Sequence, residues 1–175
     1  MRTYIIILLI MAGSVFSLEK ADAQRYGFVD MEYIMNNIPA YEAAQEQLQQ
    51  QSAQWEQEIQ NIYKEVEQLY QNYQKESVFL SQEMKTEREE EIIALEGKAK
   101  SLQRKYFGPE GEMAKRQQEL IQPIQENVDE AIQTIADEEN IDAVFDKSGS
   151  AGVVYVKPRQ DISDMVLERL GVSEQ

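Results

Sequence analysis

Between residues 39 and 140 the apolar positions recur three and four apart, and on either side of that stretch they crowd into short runs. The first series is Tyr41, Ala44, Leu48, Gln51, Trp55, Ile59, Ile62, Val66, Leu69 and Tyr73. Near-strict alternation of three and four is the seam of a coiled coil, and the two consecutive fours from Gln51 through Trp55 to Ile59 loosen it locally. A second series runs through Ile92, Leu95, Ala99, Leu102 and Tyr106, then resumes at Met113, Gln117, Leu120, Ile124, Val128, Ala131 and Ile135. Two seams in one chain pack antiparallel, so residues 39–139 are predicted to form a helical-hairpin arm with its tip near 76–82. Phase is lost there over Val78, Phe79 and Leu80, and Ser81 suits the cap of the returning helix. Gly108 and Pro109 interrupt the descending limb and Pro123 lies inside its second run, which makes these three the hinge candidates.

The flanking runs have a different period. Residues 26–30 read as a short strand, Asp30 as the cap of a brief helix over 31–36, and Pro39 as the first turn of the arm. After the arm, residues 143–145 and 153–156 read as a hairpin around a turn at 147–150. Pro158 ends that second strand, Asp161 or Ser163 caps a closing helix over 162–170, and Gly171 stops it. The expected fold is mostly α with a small β body, the arm being inserted between short strands. Residues 24–38 and 140–175 make the body, with Phe28, Val29, Val144, Phe145, Val154 and Val156 as its apolar contacts. Such short elements bury little by themselves. Oligomerisation would complete the body; the alternative is a monomer with the base of the arm packed across it.

Residues 1–23 read as a secretory signal peptide: a positive start, an apolar run from Tyr4 to Phe16, and Ala21-Asp22-Ala23 as a small-x-small cleavage site. The mature chain would begin at Gln24; the other reading is an anchor that is never cut. The chain has no cysteine, which excludes a lipid-modified cysteine and any disulfide, so packing and assembly must supply stability.

Charge and chemistry narrow the function. Seventeen lysines and arginines against 32 acids give a formal charge of −15, which opposes binding to phosphate backbones and anionic lipid. Without histidine or cysteine, the commonest general base, most zinc sites and the usual nucleophile systems are unavailable, so no enzyme is expected. There is no glycine-rich phosphate loop, and no cofactor is called for. The acidic run from Glu87 to Glu91 splays around a helix instead of converging on a metal, so no metal site is expected either. Asp142 and Asp146 read as sheet-edge charges that discourage unwanted pairing.

The order of parts resembles the Skp (OmpH-like) family of periplasmic chaperones. The match rests on Tyr26-Gly-Phe-Val-Asp30 before the helix at 31–36, the long hairpin, Asn140-Ile-Asp-Ala-Val-Phe-Asp146, and Asp161-Ile-Ser-Asp-Met-Val-Leu-Glu-Arg-Leu170. Tyr106-Phe-Gly-Pro-Glu-Gly111 is similar to the arm of the Bacteroidetes branch. The resemblance implies a homotrimer whose strands share a β-barrel body, with three arms that hold unfolded outer-membrane proteins in the periplasm without ATP. Enterobacterial members are basic and linked to lipopolysaccharide; the acidic charge of this chain argues against carrying over such a site.

If clients are held, helix phase selects the contacts. Tyr63 and Tyr70 sit one position beyond Ile62 and Leu69, flanking the seam, and Val78, Phe79, Leu80 and Met84 lie at or just past the tip. Weak, distributed apolar sites suit a binder of many sequences. The competing reading packs both tyrosines against the return helix and uses Phe79 and Leu80 to close the turn. A rival function, an exported coiled-coil spacer or envelope adaptor without chaperone activity, accounts for the arm but leaves the body unexplained.

Overall fold

The computed structural model of the protein describes residues 24–149 and 152–172; the signal-peptide reading of residues 1–23 lies outside them. Strand β1 (Tyr26–Val29) leads into the short helix α1 (Met31–Asn36), whose first turn is capped by Asp30 accepting from the Tyr33 amide at 2.9 Å. Helix α2 (Pro39–Glu76) is the ascending limb of the arm, with proline in its first turn. At 38 residues it extends about 57 Å. The return consists of α3 (Gln82–Phe107) and α4 (Glu112–Glu139), followed by β2 (Ala143–Asp146), a 3₁₀ turn (Pro158–Gln160) and α5 (Ser163–Arg169). The described residues are mostly helical, with one two-stranded sheet among them.

That sheet corrects the hairpin expected after the arm. β2 pairs with β1, in parallel, with Tyr26 opposite Ala143 and Val29 opposite Asp146. Parallel neighbours need a long crossover, and the whole arm serves as one. Residues 153–156 form no strand, and Val154 is 98 % exposed. The course of the chain beyond β2 gives the reason. The Lys147 amide donates to the Val29 carbonyl, and the chain returns on the far side of β1, where the Ile162 amide donates to the Phe28 carbonyl at 2.8 Å. A lone parallel bridge between Phe28 and Asp161 marks that return. Pro158 accordingly opens a 3₁₀ turn instead of closing a strand.

One apolar core joins body and arm. Val29, Ile34, Met35 and Ile38 from the body's first half meet Ile162, Val166 and Leu167 of its last half across Ala44 of α2 and Ile121, Val128, Ala131 and Ile135 of α4. The base of the arm therefore does pack across the body. Arg169 reinforces the junction by gripping both oxygens of Glu138. Of the body contacts named from sequence, Val29 is buried, Phe28 and Val144 are half-buried, and Phe145 is exposed beside Tyr26 and Phe28.

The acids of the body work as caps and latches, which corrects the sheet-edge reading of Asp142 and Asp146. Asp142 accepts from the Arg25 amide at 2.7 Å, fixing the start of β1. Asp146 accepts from the Met31 amide at 3.2 Å and from the amide and hydroxyl of Ser148, tying the end of β2 to the start of α1. Lys147 lies between Asp161 at 2.6 Å and Asp30 at 3.5 Å. The buried Ser163 hydroxyl donates to Asp161 at 2.6 Å and accepts from the Asp30 amide at 2.9 Å. Three distant pieces of chain are knotted in this way.

Electrostatics follow from those contacts. Burial pushes the Asp161 carboxyl up, but hydrogen bonds from Lys147 and Ser163 outweigh it and hold the group below the usual carboxylate range. At Asp146 burial is likewise overridden, by Ser148 and the Met31 amide. Asp161 holds Lys147 above the ordinary lysine value despite burial. A depressed carboxyl contributes stability that is complete above its unfolded value, about pH 4, and is lost as pH falls through its folded value. The raised lysine contributes stability complete below about pH 10.5 and lost as pH rises through its folded value. The network is thus expected to hold across the neutral range and fail at both extremes. Replacing Lys147→Met leaves two carboxylates facing each other and should cost about 1–2 kcal/mol in urea unfolding at neutral pH, with a weaker acid-induced decline than the parent. In the shared core, Ile135→Ala should cost about 2–5 kcal/mol by the same measurement and loosen body and arm base together.

Candidate functional site: the arm and its apolar face

A narrow seam holds the hairpin together. Every seam position named on α2 is buried or half-buried, as are Ile92, Leu95, Ala99, Leu102 and Tyr106 on α3. On α4 the buried stripe includes Ile121, which the spacing passed over, while Gln117 is exposed. Two polar contacts between the limbs fix their register: the Tyr73 hydroxyl donates to Glu89, and the Tyr106 hydroxyl donates to Glu58 at 2.9 Å. Each raises its phenol above the ordinary tyrosine value, the hydrogen bond to the carboxylate being the main cause.

At the tip, α2 ends at Glu76 and Ser81 caps α3 by accepting from the Met84 amide at 3.3 Å. Val78 and Phe79 are 79 % and 86 % exposed, so neither closes the turn by packing. Leu80 is half-buried. Met84 is exposed one turn into α3. Exposed charges of both signs surround the tip, among them the Arg88–Glu91 pair at 3.0 Å, so no single-sign patch forms there.

The descending limb breaks at residues 108–111, and the sequence explains why. A Cβ on Gly108 would lie 2.4 Å from the Arg104 carbonyl oxygen, and one on Gly111 would lie 2.7 Å from the Tyr106 carbonyl oxygen. Opposite the break, Trp55 stacks on Tyr106 with ring centres 4.6 Å apart and meets Phe107 edge-on at 6.2 Å. Pro123 behaves differently: α4 runs through it without a break, although the ring removes one backbone donor.

Four exposed apolar residues along the shaft of the arm obey one rule. Tyr63, Tyr70, Ile93 and Phe107 each directly follow a seam residue (Ile62, Leu69, Ile92 and Tyr106), and all four are exposed. One residue further along a right-handed helix turns the side chain by about 100°. On two antiparallel helices whose seams face each other, that turn carries both sets to the same side of the hairpin. Tyr63 and Phe107 accordingly share one groove of about 400 Å³, with Ile59 as its floor and Glu56, Gln60 and Gln103 at its edge. The register puts Tyr70 level with Ile92 and Ile93, further up the same face. The sequence reading chose Tyr63 and Tyr70 by this phase argument and missed Ile93 and Phe107, although the doublets Ile92-Ile93 and Tyr106-Phe107 carried the same signal.

Fold and sequence then meet in one comparison. The family of OmpH-like outer membrane proteins matches residues 25–170. The chain belongs to the OmpH-like family. A crystal structure of a candidate OmpH-like outer membrane chaperone from Caulobacter crescentus CB15 superposes with a TM-score of 0.69 at 12 % identity, covering 85 % of this chain and 84 % of that one. At that identity the likeness speaks for the OmpH-like fold alone. No curated protein matches the chain.

The glycines at the break permit a paired experiment. Gly111→Ala forces the backbone to shift and should unstack Trp55 from Tyr106, seen as a red shift in tryptophan emission and faster proteolysis around residues 108–111. Gly97→Ala places its Cβ in open space in the middle of α3 and should leave emission unchanged while stabilising the helix by about 0.5–1 kcal/mol.

Proposed function

We propose that this OmpH-like protein is an ATP-independent holdase that keeps unfolded outer-membrane proteins from aggregating in the periplasm, after export and cleavage before Gln24. The observation that carries the reading is the one-sided apolar face of the arm: Tyr63, Tyr70, Ile93 and Phe107 along the shaft, with Val78, Phe79 and Met84 at the tip. Each site is small and separated from the next by polar side chains, so each binds weakly. Several together can hold an extended chain without selecting its sequence. Leu80 contributes by shaping the tip.

Assembly belongs to the same proposal. Residues 153–156 combine β-branched and aromatic side chains, Val154 and Tyr155 are exposed, and among the described residues they pair with no strand. Such a segment suits pairing with another copy, and a homotrimer joined through Val154, Val156 and the exposed Phe145 would turn the body into a shared barrel. Three arms on one body multiply the weak contacts. Flexing at Gly108 and Pro109, and softening at Pro123, would fit the arms to clients of different size. The charge of −15 keeps the exposed face from self-association and disfavours lipopolysaccharide.

The test dilutes a urea-unfolded β-barrel protein into the mature protein without nucleotide and follows light scattering, with the mass of the assembly measured in the same preparation. The parent should suppress scattering as a trimer. Joint replacement of Tyr63→Ser and Tyr70→Ser should leave the trimer intact and raise the concentration needed, by roughly thirtyfold for about 1 kcal/mol lost per ring. Unchanged suppression by that variant would remove the face from the mechanism. A parent protein inert in the assay would point instead to the coiled-coil spacer.

A further inference from the structure

We infer that the mature chain carries a pyroglutamate, formed when the α-amine of Gln24 closes on its own side-chain amide with the Tyr26 hydroxyl assisting. The inference rests on the cleavage before Gln24 proposed above. Four observations lead to it. First, the backbone is fixed from Arg25 onward: the Arg25 amide donates to Asp142 at 2.7 Å, and the Asp142 amide donates back to the Arg25 carbonyl at 2.8 Å. Gln24 is therefore the last residue before anchored chain. Second, the Tyr26 hydroxyl donates to the Gln24 side-chain carbonyl oxygen, Oε1. Third, Gln24 lines a cavity of about 380 Å³ together with Arg25, Tyr26, Ile141, Arg159, Gln160 and Ile162. The Arg25 guanidinium is turned away to Glu139, which further fixes the residue after Gln24. Fourth, β1 is only four residues long and begins two residues later, so little chain can be lost before the sheet is damaged.

The chemistry balances without a co-reactant. An α-amine has an ordinary pKa of about 7.7–8.0, so an appreciable fraction is neutral near pH 7. The neutral nitrogen attacks Cδ of the same residue, and negative charge develops on Oε1, the atom the Tyr26 hydroxyl already contacts. A new N–Cδ bond closes a five-membered lactam, the Cδ–Nε2 bond breaks, and Nε2 leaves as ammonia with the proton given up by the amine. Attack within one residue makes the step intramolecular, and the Tyr26 contact to Oε1 orients the side chain that is attacked. The product is a neutral terminus that aminopeptidases cannot open, set directly before the strand that pairs with β2.

Two measurements test this. The intact mass of the protein isolated from its own cells should equal the chain from Gln24 less one ammonia, with its terminus blocked to stepwise sequencing. A mass matching free Gln24 would overturn the lactam while leaving the cleavage reading intact; a mass matching any other start would overturn both. In vitro, protein released with a free Gln24 should lose ammonia severalfold faster when folded than in urea. Tyr26→Phe, which keeps the ring packed near Phe145, should bring the folded rate down to the unfolded one. Equal rates in all three would remove Tyr26 from the reaction.

Discussion

Everything in this molecule hangs from the apolar stripe at the base of α4. Ile121, Val128, Ala131 and Ile135 supply the surface on which the body's two halves meet, and those halves are separated by the whole arm in sequence. A two-stranded parallel sheet cannot stand alone, because each strand has one partner and the pair has little apolar surface of its own. The arm is thus no appendage. Its last helix is the third layer of the body, and the arm's direction is fixed by the same contacts that hold β1 beside β2.

That dependence explains the division of labour along the hairpin. Near the base the core is broad and the polar latch of Asp30, Lys147, Asp161 and Ser163 closes it. Beyond the break at residues 108–111 only the seam remains, one residue wide, with Trp55 and Tyr106 as its largest contact. A seam so narrow cannot cover large side chains one step around the helix, and they stay exposed. Antiparallel packing then sorts them onto one side without any further instruction. Exposure of the apolar face is a consequence of that thin packing.

The arm was legible because its signals are local. The 3-and-4 spacing, Ser81 as a cap and the Gly108-Pro109 break act within a turn or two of helix, and Ile62-Tyr63 announces an exposed ring by phase alone. The body was less legible because its pairing is set by contacts far apart in sequence. Residues 153–156 have strand chemistry, yet strand chemistry does not say which edge is free, and the return beside Phe28 claims the edge of β1 that a local reading left open. Asp142 and Asp146 were misassigned for the same reason: their partners, the amides of Arg25 and Met31, lie more than a hundred residues away. Ile93 and Phe107 were missed differently. The rule that found Tyr63 applies to them unchanged, through the doublets Ile92-Ile93 and Tyr106-Phe107.

The same phase rule bears on why the chain is so acidic. A hairpin that leaves Val78, Phe79 and Ile93 uncovered would stack face to face with its own copies if nothing opposed it. Charges on the remaining sides cannot shield that face directly, but fifteen net negatives repel a second folded copy carrying the same field. An unfolded chain is extended and brings no such concentrated field, so as the proposed client it would reach the face at lower electrostatic cost. Within an assembly joined through the bodies, the arms would feel the same repulsion and stand apart, leaving the faces open. In the proposed holdase, net charge would separate self from client, a distinction that apolar contact alone cannot make, and its effect fades beyond about 8 Å at physiological salt. Repulsion of that range would act between arms approaching contact and spare the proposed contact between bodies.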